Sequence, residues 1–310
     1  MKNTVRIATR SSKLALWQAN WIKDQITAAH SGVDCELIHI KTKGDKILDT
    51  PLAKIGGKGL FVKELENALI ENQADIAVHS LKDVPTELPE GLEISIFTAR
   101  ATPNDALVSN QHTSFNTLPQ GAIIGTSSLR RIAQLKHLRP DLGFKTLRGN
   151  VPTRLAKLDA GNYDAIILAA AGLVRLELKE RITEFLPVDI SLPAIGQGTV
   201  AIESRCGDVE ILNIIAHLND AETTNDSLAE RAFLCRLNGG CQVPLAGFAE
   251  TQDNQLTLTG LLASPDGKQF LRMSRSGPVE TCQEIGVELA EELLAAGGRE
   301  ILSLVGIEVS

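Results

Sequence analysis

The sequence predicts an α/β protein of two similar lobes followed by a smaller α+β domain, and three observations carry that expectation. The chain opens strand–helix–strand: residues 5–9 and 35–41 read as strands, and between them Ala15, Ala19, Ile22 and Ile26 share one face of a helix over 13–29. A similar order restarts after residue 106, with a strand at 122–125, a helix at 129–138 and a strand at 144–147. Beyond residue 243, strands near 244–250, 255–263 and 268–276 are joined by the turn residues Asp253-Asn254 and Pro265-Asp266-Gly267, the pattern of an antiparallel sheet.

Composition narrows the function classes. A chain of 310 residues that is 43% hydrophobic has room for two or three domains with full cores. Aromatics are only 4%, too few for base-stacking platforms, and the net charge of −7 disfavours a general nucleic-acid binder. The opening Met1-Lys2-Asn3-Thr4-Val5 reads as the approach to a strand, not as an apolar leader, and the longest apolar run, 165–174, is too short to span a bilayer. Five cysteines without a Cys-x-x-Cys pair suggest neither a disulfide framework nor a zinc site, so a reducing cytoplasm is the expected location and no metal is expected.

In chain order, Ser11 and Ser12 are candidate N-caps for the first helix, and Arg10 falls just past the first strand, at the edge where open α/β sheets bind ligands. Residues 42–59 are poor in apolar side chains and end Gly56-Gly57-Lys58-Gly59. No Gly-Lys-Ser/Thr follows, so the stretch reads as a flap or surface loop instead of a phosphate loop. A helix at 60–72 and a strand at 74–78 lead into His79-Ser80-Leu81-Lys82-Asp83-Val84-Pro85, which puts an imidazole, a hydroxyl, an ammonium and a carboxylate at a strand end. After a strand at 92–98, residues 100–105 have the composition of a hinge.

In the second lobe, Thr126-Ser127-Ser128 forms a hydroxyl-rich start to the 129–138 helix, an anion-binding arrangement. Arg130 and Arg131 occupy its first turn, where the helix dipole disfavours cations, so an anionic ligand is expected to offset them. Arg148 closes the next strand, Arg154 lies on a helix from Pro152 to 160, and Arg175 follows a strand at 163–169. Arginine forks at the ligand edge suit a ligand with many carboxylates, with a phosphorylated ligand as the competitor. Residues 192–198 then cross back, and a strand at 199–203 with a helix at 209–218 returns to the first sheet, the two connections forming a hinge. In the last domain a helix over 226–237 is expected to stop at Gly239-Gly240, leaving Cys241 on a tight loop before Gln242-Val243-Pro244, and a helix over 279–296 closes the chain.

A cysteine hydrolase needs a positioned histidine, and only His79 stands beside a candidate turn. What remains is a thiol as covalent anchor, a carboxylate as acid or base, and arginines as clamps. Seven segments in this combination resemble the porphobilinogen deaminase family: Ile7-Ala8-Thr9-Arg10-Ser11-Ser12-Lys13-Leu14-Ala15, Gly57-Lys58-Gly59-Leu60-Phe61, the 79–85 segment, Gly125-Thr126-Ser127-Ser128-Leu129-Arg130-Arg131, Leu147-Arg148-Gly149-Asn150-Val151, Leu192-Pro193-Ala194-Ile195-Gly196-Gln197-Gly198 and Gly239-Gly240-Cys241-Gln242-Val243-Pro244. Asn238 stands where that family often has an acidic residue.

The resemblance implies two periplasmic-binding-protein-like lobes with mixed five-stranded-type sheets and a small C-terminal α+β domain with an antiparallel sheet. The expected divisions are 1–99 with 199–218, then 104–193, then 221–310. It implies a transferase of tetrapyrrole synthesis that adds four porphobilinogens head to tail, releases four ammonia, and hydrolyses the product to hydroxymethylbilane. It implies a dipyrromethane cofactor held by a thioether to Cys241, with Asp83 as the catalytic carboxylate. Arg10, Arg130, Arg131, Arg148, Arg154 and Arg175 would bind acetate and propionate groups; Ser12, Lys82, Thr126, Ser128 and Gln197 would contact cofactor or substrate. Lys54 and Lys58 would belong to a lid and Phe61 would stack. A monomer without nucleic-acid or membrane partners is implied. The alternatives are a two-lobed anion-binding protein without catalysis and a thiol hydrolase of acidic substrates.

Overall fold

The computed structural model describes residues 3–46, 59–240 and 243–309. Among these, 3–46, 59–101 and 198–224 form one compact unit; 102–197, 225–240 and 243–309 form another.

The first unit is built on a sheet of order β2-β1-β3-β10-β4. β1 (Thr4–Arg10) runs parallel to β2 (Asp34–Ile40) and β3 (Ile76–Ser80). β10 (Val200–Arg205) arrives from far downstream and inserts antiparallel between β3 and β4 (Leu92–Phe97). Alternate residues of a strand face opposite sides, and parallel strands bury both. Val5, Ile7, Ile76, Val78 and Ile202 therefore meet Ile22 and Ile26 of α1 (Lys13–Ala29) on one face. On the other, the small Ala8 and Ala77 admit Leu65, Ala68 and Leu69 of α2 (Lys63–Ile70). The expected cap of α1 is Ser12, whose Oγ accepts the Ala15 N–H at 3.3 Å. The strand expected at 74–78 ends two residues later, so His79 and Ser80 belong to the sheet, and Leu81–Asp83 form a 3₁₀ turn closed by the Val84 N–H on the Leu81 carbonyl at 3.0 Å.

In the second unit a sheet of order β7-β6-β8-β5-β9 repeats this plan. It comprises β5 (Asp105–Val108), β6 (Ile123–Gly125), β7 (Gly143–Lys145), β8 (Ala165–Ala169) and β9 (Glu184–Leu186). β6 is parallel to β7 and β8, while β5 is antiparallel to β8 and β9. The hinge composition of 100–105 conceals a strand start: Asp105 opens β5 and is fully buried. Three helices follow the expected order, α3 (Leu129–Leu138), α4 (Val151–Asp159) and α5 (Ala170–Arg175). The N-caps of the first two are Ser128 and Asn150, and Pro152 sits in the first turn of α4 as anticipated. In the first unit, α6 (Val209–Ile215) adds Ile211 and Ile214 to the core behind β10.

The third sheet is the antiparallel meander β11 (Leu245–Gln252), β12 (Gln255–Ala263) and β13 (Phe270–Pro278). Its inner face packs on α7 (Ala221–Arg236) and α8 (Cys282–Leu293) through Phe233, Leu258 and Leu289. It is joined to α3 by the His137 ring stacked on Phe270, with centroids 4.2 Å apart. Two helix ends differ from expectation. The left-handed residue after α7 is Asn238, at φ 47°, and the Gly239 N–H returns to the Leu234 carbonyl at 3.0 Å. Gly239 is needed for space instead: an added Cβ would lie 2.8 Å from Leu234 Cδ1 and 3.0 Å from Leu245 Cδ1. The helix expected over 279–296 ends at Leu293 and is broken further on by Gly297 at φ 108°.

Gly286 of α8 faces the α7 backbone, and a Cβ there would collide with the Ala229 carbonyl oxygen and lie 2.9 Å from the Phe233 nitrogen. Backbone cannot retreat as a side chain can, so Gly286→Ala is expected to destabilise by about 1–3 kcal/mol, the cost of overpacking. A lowered urea midpoint with an unchanged slope would record it. Among the described residues no helix is long and apolar enough to cross a membrane.

Candidate active site

The C-terminal ends of β1 and β3 lie side by side in the first unit. Such strand ends are where open α/β sheets bind ligands. An open pocket of about 60 Å³ forms there, and Arg10, Ser12, Phe61, His79, Ser80 and Asp83 line it. Arg10, the last residue of β1, lies over the Phe61 ring at 4.3 Å, a cation–π geometry. It also forms an ion pair with Asp45, through Nη2 to Oδ1 and through Nε to Oδ2 at 3.2 Å. Burial works to raise the Asp45 carboxyl, but Arg10 and the hydrogen bonds of Thr42 bring it below the ordinary carboxylate value. The guanidinium is thus oriented from behind by a permanent anion and from beside by a ring. Buried Gln18 of α1 donates from Nε2 to Ser80 Oγ at 2.8 Å, fixing that hydroxyl at the pocket wall.

Asp83 is exposed at the end of the 3₁₀ turn. Its carboxylate has no hydrogen bond or ion pair among the described residues, which leaves its lone pairs open to a ligand. Lys82, beside it, is half-buried. His79 points the other way in function: its Nε2 lies 2.9 Å from Glu203 Oε2, both side chains being buried. Glu66 of α2 is buried beside them, and burial together with the Glu203 charge pushes its carboxyl up to about 7.

In the second unit Asp105 organises the arginines of α3. Its carboxylate lies 2.8 Å from Arg130 Nη1 in an ion pair and accepts from Arg130 Nη2 at 3.2 Å, Arg131 Nη2 at 2.6 Å, Ser191 Oγ at 2.8 Å and Gln197 Nε2 at 3.0 Å. Arg130 also donates to the Leu192 carbonyl at 2.5 Å, and Arg131 to the Ile167 carbonyl at 2.9 Å. Burial alone would raise Asp105, but the two guanidiniums hold it far below the carboxylate range. Burial and the charge of Arg131 lower Arg130 even though Asp105 opposes them. The offset for two cations at a helix N-terminus is therefore supplied within the chain, by a residue the sequence reading placed in a hinge. One carboxylate still serves two guanidiniums, so the cluster carries a net positive charge.

The other second-unit candidates lie around the same strand ends. Buried Thr126 accepts the Ser128 N–H on its hydroxyl at 3.2 Å, and Ser128 Oγ caps α3. Arg154 Nε donates to the Gly149 carbonyl at 2.8 Å, in the loop that carries Arg148. Burial lowers the Arg175 guanidinium to about 10. Two donors, Arg131 Nε and Arg148 Nη1, are buried with no hydrogen-bond partner among the described residues. Cys241, Lys54 and Lys58 lie outside the described residues. No group of three potential metal ligands occurs among the described residues.

Asp45, Asp105, Glu66 and Glu203 escaped the sequence reading. The first two have a faint signal, since each lies in a segment next to a strand end and an arginine needs a partner. Glu66 and Glu203 look like solvated charges on a helix and a strand, and only the packing of α2 on the sheet reveals their burial.

Residues 5–213 match the family model described as porphobilinogen deaminase, dipyrromethane cofactor binding domain, and residues 224–295 match that of the porphobilinogen deaminase C-terminal domain. Among solved structures, a putative methionine-binding lipoprotein from Bacillus subtilis aligns at 12% identity over 71% of this chain and 92% of its own, with a TM-score of 0.43. A VFT2 domain of BvgS from Bordetella pertussis aligns at 18% identity over 70% of this chain and 85% of its own, with a TM-score of 0.41.

Proposed function

The chain belongs to the porphobilinogen deaminase family, a transferase family of tetrapyrrole synthesis, and from that premise we propose that it is a hydroxymethylbilane synthase in which Asp83 is the catalytic carboxylate and Cys241 the cofactor anchor. The observation that carries this reading is the pocket of the first unit, where an unencumbered carboxylate, an oriented guanidinium and an aromatic ring meet at two strand ends. Porphobilinogen is the substrate, and four are joined head to tail with loss of ammonia.

The donor set fits the dipyrromethane group that the family carries. Each pyrrole bears an acetate and a propionate, so the group is a polyanion. Buried donors without partners, Arg131 Nε and Arg148 Nη1, are costly unless a ligand satisfies them. Arg10, Arg130, Arg131, Arg148, Arg154 and Arg175 would bind the carboxylates of cofactor and substrate, with Ser12, Lys82, Thr126, Ser128 and Gln197 as lesser contacts. When bound through its thioether to Cys241, the cofactor supplies a nucleophilic pyrrole carbon and keeps the growing chain attached.

The chain's own residues then do two things. Arg10 holds a side-chain carboxylate of the substrate while Phe61 supports a ring, with Asp45 preventing rotation of the guanidinium. The Asp83 carboxylate accepts a pyrrole N–H and stabilises the positive charge that develops on that ring as the amine departs. Lys54 and Lys58 would belong to a lid, as the family resemblance implies. The working form is a cytoplasmic monomer with no nucleic-acid or membrane partner.

Intact-mass measurement of the purified protein tests the reading. The expected result is a mass gain equal to two linked pyrrole units, absent from Cys241→Ser, which is inactive. An unmodified but fully active protein would point to a different enzyme, and a reversible, non-covalent anionic ligand without turnover would point to a binding protein.

A further inference from the structure

Behind the pocket the first unit buries three titratable side chains that the role of Asp83 leaves unused. His79 lines the pocket and is 5% exposed; its Nε2 contacts Glu203, which is 0% exposed. The second oxygen of Glu203, Oε1, is buried without a hydrogen-bond partner among the described residues. Glu66 on α2, 6% exposed, is within electrostatic reach of both. The charged groups that reach Glu66 are Glu203 on β10, His79 on β3, and Lys63 and Glu64 on its own helix, while β1 and β4 bring Ala8 and Leu92 to this layer. Burial and the neighbouring Glu203 charge disfavour an ionised Glu66 and raise its carboxyl to about 7.

The condensation releases a proton as well as ammonia. Primary alkylamines are ammonium ions at neutral pH, with an ordinary pKa near that of lysine, about 10.4. The C–N bond breaks with its electron pair going to nitrogen, so ammonia leaves with only its own hydrogens. The new C–C bond forms at a pyrrole carbon that bears a hydrogen. That hydrogen departs as a proton and its bonding pair returns to the ring. One ammonium and one C–H thus become one ammonia, one C–C bond and one proton, and the proton needs an acceptor at the pocket.

We propose that the His79–Glu203–Glu66 cluster is this acceptor, with His79 taking the proton and the two glutamates acting as positioning residues. The inference rests on the deaminase reading. With Nε2–H donating to Glu203, the imidazole lone pair is on Nδ1, which is the atom that accepts. Glu203 fixes that tautomer, and the ionised Glu66 adds the negative charge that makes the imidazole a better base. The base is strongest when Glu66 is ionised, and burial with the Glu203 charge holds that carboxyl up to about 7, so activity rises with pH across that range.

The test compares the pH dependence of kcat for the wild-type holoenzyme and Glu66→Gln, alongside ¹⁵N NMR of the His79 imidazole in both. In the wild type an acid limb near neutral pH is expected. In Glu66→Gln the lost negative charge weakens the base, so the limb moves to lower pH and kcat on the plateau falls about tenfold or more, within what general-base catalysis contributes, with KM little changed. The imidazole titration moves in the same direction. A second variant, Glu203→Gln, shifts the imidazole resonances by releasing the tautomer and guards against a folding defect in the first. An unmoved acid limb and imidazole titration in a well-folded Glu66→Gln protein that carries the two-pyrrole adduct would overturn the acceptor role alone. Absence of the adduct from the wild type would overturn the deaminase reading beneath it.

Discussion

Asp83→Asn is expected to keep its covalent cofactor and to lose turnover by roughly 10²–10³-fold, about 2.7–4 kcal/mol of transition-state stabilisation, the usual effect of removing one oriented electrostatic group. The amide keeps the shape of the turn but removes the charge opposite the ring on which positive charge develops. Because the side chain is exposed and holds no protein partner among the described residues, folding should not suffer. Cofactor attachment happens once per molecule and has the whole life of the protein to finish, so the adduct survives even at a crippled rate. Intact mass and single-turnover kinetics on the same preparation separate the two effects. Wild-type turnover in the variant would remove Asp83 from the mechanism.

Asp105→Ala should be the most damaging substitution to stability in the second unit. It leaves two buried guanidiniums facing each other without their anion, and breaking a buried ion pair from one side costs about 3–5 kcal/mol. That is a large part of the ~5–15 kcal/mol that holds a typical protein folded. The Asp105 carboxyl is depressed in the folded state, so its contribution is complete above the unfolded value of about 3.9 and fades only as pH falls through the native value. The full loss should therefore appear at neutral pH, as a urea midpoint far below that of the wild type. Asp105→Asn, which retains a hydrogen-bond acceptor but no charge, should fall between them. A wild-type midpoint for the alanine variant would mean that the arginines find other anions within the chain.

The alternation of strands and helices was legible because both lobes use parallel strands buried on two faces, which write long apolar runs separated by amphipathic helices. The two strands that escaped, β5 and β9, are four and three residues long; β5 follows Thr102-Pro103-Asn104, and β9 lies between Thr183 and Pro187. In so short a run no period can be counted. The site was legible as chemistry and illegible as geometry. Arg130 and Arg131 stand out in the sequence, yet their partner is on a strand of the sheet, 25 and 26 residues away. The strand expected to end at Val78 runs on to Ser80, because β10 pairs with His79 and Ser80 and keeps them in the sheet. At the end of α7, glycine was expected to supply the left-handed residue, and Asn238 does so because its short amide tolerates that region.

The insertion of β10 between β3 and β4 also bears on how the protein is made. Synthesis runs from the N-terminus at about 5–20 residues per second. When β4 emerges, its only neighbour in the sheet, β10, does not yet exist, and the unpaired edge of β3 is exposed to any other extended chain. Every strand of the second sheet lies within residues 105–186, so that sheet is complete before the first can be. Ribosomal order and folding order are thus reversed. The lobe translated first must wait on the order of ten seconds, by the same synthesis rate, for its fifth strand. The window in which the newborn chain is most open to misassociation closes before the third sheet is translated.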